Sequence, residues 1–202
     1  RRYDPAGRPV LLTLSRLSPE KGQDLLLRAL RLWDRDRREE LLLFICGAAA
    51  FMHGDRYVQK LRRLAAGLRR TEVIFPGHVG GAQKHAFFRL ADLYVFPSRH
   101  ESYGLTMMEA MAAGLPVLTT NHRSAPNLVR PEFGLVVEPH PQELYKGLVQ
   151  LLSRPERLQA MGEAARRFAH TQPFSQAAET LALHLQQLLH EKPAISAHPS
   201  SR

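Results

Sequence analysis

The sequence predicts an α/β fold, a Rossmann-like parallel sheet of about six strands with helices on both faces. Three observations carry this. Short apolar runs of strand length alternate with stretches of helical period along the chain. The runs are apolar throughout rather than at every second residue, as strands buried on both faces require. Helix-length segments separate consecutive runs, and parallel strands need such crossovers.

Val10–Leu14 reads as the first strand, followed by the polar turn Ser15–Lys21 and by leucines and alanine at helical spacing over Asp24–Trp33. Leu41–Cys46 is the second run, ended by Gly47. Tyr57, Leu61, Leu64 and Leu68 step at i+3 and i+4, the pattern of an amphipathic helix. Val73–Phe75 is a brief third strand that stops at Pro76-Gly77. Gln83–Ala91 is helical in pattern, and Leu93–Phe96 is strand-like until Pro97 breaks it. Leu105–Ala113 is rich in good helix formers, with Gly114 as its C-cap and Met107, Met108 and Met111 as packing residues. Pro116–Thr119 and Gly134–Val137 complete the strands. Helical stretches follow at Gln142–Leu152, Glu156–Phe168 and Gln176–Leu189, with Ser153 and Ser175 placed as N-caps. The expected organisation is a linker remnant over 1–9, one domain over 10–190 and a flexible tail over 191–202.

Composition narrows the function. A chain of 202 residues fits a single core, and 44% hydrophobic with 23% charged residues excludes wholesale disorder. No apolar stretch reaches the roughly 18–20 residues that span a bilayer. The first residues carry no secretory h-region, and the lone Cys46 excludes a disulfide scaffold, so a cytoplasmic location is expected. Of the 28 basic residues 23 are arginine, and the net charge is +9. The scattered arginine blocks read as solvated helix faces, with an anionic partner (phosphate ligand, membrane surface or nucleic acid) as the alternative. There is no basic-aromatic ladder or zinc-finger spacing, so no specific nucleic-acid partner is expected. The ten histidines show no HxH or HExxH spacing, which leaves a metal site without support. No GxGxxG or GxxxxGKT occurs.

In a doubly wound sheet, chemistry belongs to the loops at the carboxyl ends of the strands. The first such loop, Ser15–Gly22, sets Arg16 and Lys21 across a proline turn ahead of a helix. A guanidinium fork and an ammonium point charge suit a diphosphate, although pairing with Glu20 is the plainer reading. The second, Pro97–Gly104, runs into a helix whose free N–H groups form an anion site, with Gly104 supplying the sharp turn. Glu101 precedes that helix and Glu109 lies in its second turn, on the face of its first residues. Two carboxylates there can address sugar hydroxyls and a ribose. They can equally be a helix cap and an arginine partner, or a glycosidase acid and base that would leave the cationic loop unexplained. The third loop, Thr119–Ser124, holds His122, which could contact a ligand, although a solvated loop histidine is the plainer reading.

Taken in order, Ser15-Arg16-Leu17 through Lys21-Gly22, Phe75-Pro76-Gly77-His78-Val79, Pro97-Ser98, Glu101-Ser102-Tyr103-Gly104-Leu105 and Glu109 through Val117 form a set. It resembles the C-terminal half of the retaining glycosyltransferases of family 4 (glycosyl transferases group 1), which have the GT-B fold. Glu101 and Glu109, with seven residues between them, look like that family's E-x7-E signature.

The resemblance implies that Arg16 and Lys21 hold the donor diphosphate and stabilise the departing nucleotide. It places Glu101 near the donor sugar and Glu109 on the nucleotide ribose. Backbone amides from Ser102 and Tyr103 to Gly104 and Leu105 would meet sugar and phosphate, and Val79 would lie beside the base. It further implies a nucleoside-diphosphate sugar as substrate, no metal or other cofactor, and an N-terminal GT-B domain supplying the acceptor site. The net charge of +9 is in addition compatible with a peripheral membrane contact, chiefly through that other domain. The final helix would cross back toward that domain. One departure stands out: where the family shows Gly-Gly-x-x-Glu, this chain reads Arg123-Ser124-Ala125-Pro126-Asn127. That loop favours the competing reading, a non-catalytic nucleotide-binding or interaction module on the same fold.

Overall fold

The computed structural model describes residues 6–50 and 54–172. Six strands form one parallel sheet: β1 (Val10–Leu14), β2 (Leu41–Cys46), β3 (Thr71–Gly77), β4 (Leu93–Phe96), β5 (Val117–Thr120) and β6 (Gly134–Val137). Their order is β3-β2-β1-β4-β5-β6, and every neighbouring pair is parallel. The direction of winding therefore reverses between β1 and β4. At that reversal the two crossovers leave on opposite faces, and a crevice opens at the carboxyl ends of the strands.

Among the described residues seven helices connect and cover the strands: α1 (Gln23–Asp36), α2 (Gly54–Ala66), α3 (Gly81–Leu90), α4 (Leu105–Ala112), α5 (Ala125–Leu128), α6 (Pro141–Leu152) and α7 (Pro155–His170). Alternation along each strand sorts the side chains into two cores. Leu12, Phe44, Tyr94, Phe96 and Val117 pack with α3, α4 and α5 on one face. Leu11, Leu43, Ile45, Val95 and Leu118 pack with α1, α2 and α6 on the other. This explains the continuous apolar runs, since both pleat directions meet a core. Met107 and Met111 are fully buried and Met108 packs beside them. Cys46 is buried too, and burial pushes its thiol up to about 12, which leaves it unreactive.

The structure corrects several boundaries. β3 continues through Pro76 to Gly77, because an edge strand tolerates a missing N–H and a register shift between Phe44 and Cys46 takes up the irregularity. β5 starts at Val117 rather than Pro116 and ends at Thr120. α2 begins at Gly54 and stops before Gly67, leaving Leu68 in the turn beyond it. Gly114 lies one residue past the cap of α4, with φ +87. Ser153 is not an N-cap: it closes α6, donating its hydroxyl to the Val149 carbonyl at 2.5 Å. One turn of helix, α5, occupies the loop that the sequence left irregular. Ser175, the helix read over 176–189 and the tail over 191–202 lie outside the described residues.

Candidate active site

The site grows from two loops fastened to each other at the crevice. After β1, a short 3-10 turn over Pro19–Lys21 leads through Gly22 into α1. The Glu20 carbonyl accepts from the Arg99 amide at 2.7 Å and from the Ser98 hydroxyl at 3.2 Å, joining this turn to the loop after β4. Gly22, with φ +66, comes so close to that loop that a Cβ would stand 1.9 Å from the Pro97 carbonyl oxygen. Buried Gln23 fixes the start of the first loop, donating to Ser15 Oγ and to the Arg16 carbonyl, both at 2.8 Å.

Beneath the loops lies a charged knot spanning α1, α2 and the loop after β4. The Asp24 carboxylate accepts from Arg99 at 2.9 Å, Lys60 at 2.8 Å and the Tyr57 hydroxyl at 3.0 Å. Burial alone would raise its pKa, but the Arg99, Lys60 and Tyr57 hydrogen bonds outweigh it and hold the carboxyl at about 2. A carboxyl depressed from its ordinary 3.8 contributes stability that is fully present above that value and is lost as pH falls toward 2. The shift corresponds to about 2 kcal/mol. Urea unfolding of the wild type and Asp24→Asn should therefore show a stability gap that narrows by about that amount between pH 5 and pH 2. A pH-independent gap would refute the assignment.

Seven of the sequence-derived residues come together in one cavity. Arg16, Lys21, Glu101, Ser102, Tyr103, Gly104 and Leu105 line a hollow of about 260 Å³, floored by Phe96 and Thr106. Lys21 is ion-paired with Glu101, not with Glu20, and both side chains are largely buried. Its ammonium also lies 5.8 Å from the centre of the Phe96 ring. Burial pushes the Glu101 pKa up, and Lys21 with the Ser102 and Tyr103 amides more than reverses that, leaving it lowered. Gly104 is the N-cap of α4 in the left-handed conformation, φ +84, and no side chain caps the helix. The α4 N-terminus consequently faces the hollow uncapped. Tyr103 and Leu105 are 43% and 56% exposed, so they give the hollow backbone groups and an apolar rim rather than a buried wall.

Val79 lines an adjoining hollow of about 400 Å³ together with Gly47, Ala48, His78 and Thr106. Ser15, Arg16 and Thr106 are common to the two. Glu109 lines neither hollow. It lies three residues beyond Thr106 on α4, where Oε1 accepts from Lys84 of α3 at 2.7 Å. Hollows of about 370 and 490 Å³ elsewhere lie toward the amino ends of the strands, away from these loops.

Three arrangements at the site are not visible in the local sequence. Tyr94, fully buried, donates to the Leu14 carbonyl and approaches Thr106 Oγ1, each at 3.0 Å, locking α4 to the end of β1. Lys84 is the second, and only a helix-to-helix pairing 25 residues apart reveals it. His122 is the third: it is buried rather than solvated, with Nε2 3.1 Å from Thr119 Oγ1 and Nδ1 3.2 Å from Ser124 Oγ. Burial lowers its pKa, against the pull of nearby Glu101. Among the described residues no three His, Cys, Asp or Glu side chains converge.

Sheet order, crevice and loop placement put the domain in the doubly wound α/β class whose ligands enter where the strand order reverses. More particularly, the chain belongs to the family of glycosyl transferases group 1, whose model matches residues 3–168. It is 35% identical over 178 residues to a GDP-mannose-dependent alpha-(1-6)-phosphatidylinositol monomannoside mannosyltransferase of Mycolicibacterium smegmatis, covering 83% of this chain and 45% of the relative. It is 36% identical over 179 residues to a D-inositol 3-phosphate glycosyltransferase of Corynebacterium aurimucosum, covering 86% and 41%. Among solved structures, the Anabaena protein Alr3699/HepE in complex with UDP-glucose superposes with a TM-score of 0.76 at 27% identity. That match covers 88% of this chain and 49% of the other. The chain thus spans a little under half the length of each of these proteins. Among the described residues no helix is long and apolar enough to cross a membrane.

Proposed function

We propose that this chain is the donor-binding half of a retaining glycosyltransferase, which moves a sugar from a nucleoside diphosphate sugar to an acceptor hydroxyl. The observation that carries the reading is the meeting of Arg16, Lys21 and the uncapped N-terminus of α4 in one hollow at the crevice. When the sugar–phosphate bond breaks, its electron pair goes to the departing diphosphate. Fixed cations and helix amides meet that charge without reorganising, which is the largest kind of contribution a site of this type makes. Those cations take the place a metal would otherwise fill, so the reading needs none. Glu101 aims the Lys21 ammonium and lies where the donor sugar would sit, while Glu109 would receive the ribose and Val79 the base. An acceptor hydroxyl captures the oxocarbenium-like sugar on the face the nucleotide leaves, which retains its configuration.

The acceptor side belongs, on this reading, to a second, N-terminal domain. A net charge of +9 is compatible with a peripheral contact between that assembly and an anionic membrane surface in the cytoplasm. The alternative, a non-catalytic nucleotide-binding module, draws on the Arg123–Asn127 departure, where exposed Asn127 stands in place of the family's glutamate.

Thermal unfolding with UDP, GDP and ADP, with and without magnesium, tests the reading. One nucleotide should raise the midpoint independently of magnesium, since a ligand at about 100 times its Kd adds about 2.7 kcal/mol to the folded state. Arg16→Ala should abolish that rise. Indifference to all three nucleotides, or an undiminished rise in the variant, would overturn the site assignment. Transfer that stays absent when a family N-terminal domain is supplied would favour the module.

A further inference from the structure

Glu109 carries a charge that its own helix does not welcome. It occupies the fifth of the eight residues of α4, in the half nearer the negative end of the helix dipole, and that helix has no basic residue in its last turn. Its side chain is 42% exposed, and an unrestrained carboxylate there would turn among several rotamers. Lys84 supplies both the missing charge and the restraint. Its ammonium holds Oε1 at 2.7 Å, and Oε2 has no hydrogen-bond partner among the described residues. The Lys84 amide in turn donates to the Gly80 carbonyl at 3.3 Å, in the loop that carries His78 and Val79 along the larger hollow.

We propose that Lys84 is a positioning residue: it fixes one oxygen of Glu109 so that the other is presented to the vicinal hydroxyls of a ribose. Lys84 thereby sets the preference of the site for ribonucleotides over deoxyribonucleotides. This rests on the reading of Glu109 as the ribose-binding carboxylate. Lys84 also links that carboxylate to the base-side loop, because the α3 turn holding the ammonium is hydrogen-bonded back to Gly80. A ligand seated against Val79 would then meet a carboxylate already in place, and less ordering would accompany binding.

The test is calorimetric titration of the full chain with whichever of UDP, GDP and ADP stabilises it most, and with the 2′-deoxy analogue of that nucleotide. Lys84→Met keeps the length of the stem and removes the charge. It should weaken the ribonucleotide roughly 5- to 10-fold, the size of a typical coupling between contacting residues, while barely changing the deoxy analogue. Lys84→Arg should restore most of the preference, and Glu109→Gln should lose it in either background. Equal weakening of both nucleotides by Lys84→Met would mean that the ammonium contacts phosphate, and would overturn the proposal. So would an unchanged affinity for both. If Glu109→Gln keeps the full ribose preference, or if no nucleotide binds, the underlying reading of Glu109 fails and the role of Lys84 fails with it. A preference lost in Glu109→Gln but kept in Lys84→Met overturns the Lys84 proposal alone.

Discussion

Gly22→Ala is expected to lower the melting temperature by roughly 10 °C. Two penalties coincide. A φ of +66 disfavours any residue with a Cβ, and this Cβ would stand 1.9 Å from the Pro97 carbonyl oxygen, a backbone atom that no rotamer change can move. Relief requires separating the loop after β1 from the loop after β4. The combined loss is on the order of 3–5 kcal/mol, in the range reserved for strained backbone and overpacking. Gly77→Ala is the control, because Gly77 has φ +84 with nothing within 4 Å of its added Cβ. It should show the conformational penalty alone, about 1 kcal/mol. Similar losses in the two variants, measured by calorimetry, would mean that the contact at Gly22 is relieved cheaply.

Lys21→Ala is expected to weaken a nucleoside diphosphate roughly 10- to 100-fold, corresponding to the 1.5–3 kcal/mol of a hydrogen bond to a charged group. The parent nucleoside, which lacks phosphate, should lose far less. The variant also leaves Glu101 largely buried without its cation, and its carboxyl should then titrate at higher pH than in the wild type, where Lys21 holds it down. Removing both charges in Lys21→Ala/Glu101→Gln should recover stability but not affinity. That separates the pair's structural role from the anion it would meet. If the single variant binds the diphosphate as the wild type does, Lys21 is only the partner of Glu101.

What the sequence made legible follows from locality. The runs at Val10–Leu14, Leu41–Cys46, Leu93–Phe96 and Gly134–Val137 are bounded by polar residues, glycine or proline, and the structure places β1, β2, β4 and β6 on the same residues. β3 was read short because Pro76 ends a central strand but not an edge one, and edge position is a property of strand order. The clustering of Arg16, Lys21 and Glu101 was legible because each lies on a loop leaving the carboxyl end of a strand. The pairings inside the cluster were not: Asp24 with Arg99 and Lys21 with Glu101 join residues 75 and 80 apart. His122 was misread for the same reason. Its neighbours Thr119 and Ser124 are visible in sequence, but burial under the Phe96 ring is not.

The Glu20 carbonyl, shared by the Arg99 amide and the Ser98 hydroxyl, constrains how this fold can diversify. An insertion in either loop would strand the donors or the acceptor of the other, so neither segment can change length alone. New specificities in such a scaffold must therefore be sought by varying residue identity within these two segments. Changes of length are left to the loops after β3 and β5, which have no comparable bond to Glu20 among the described residues.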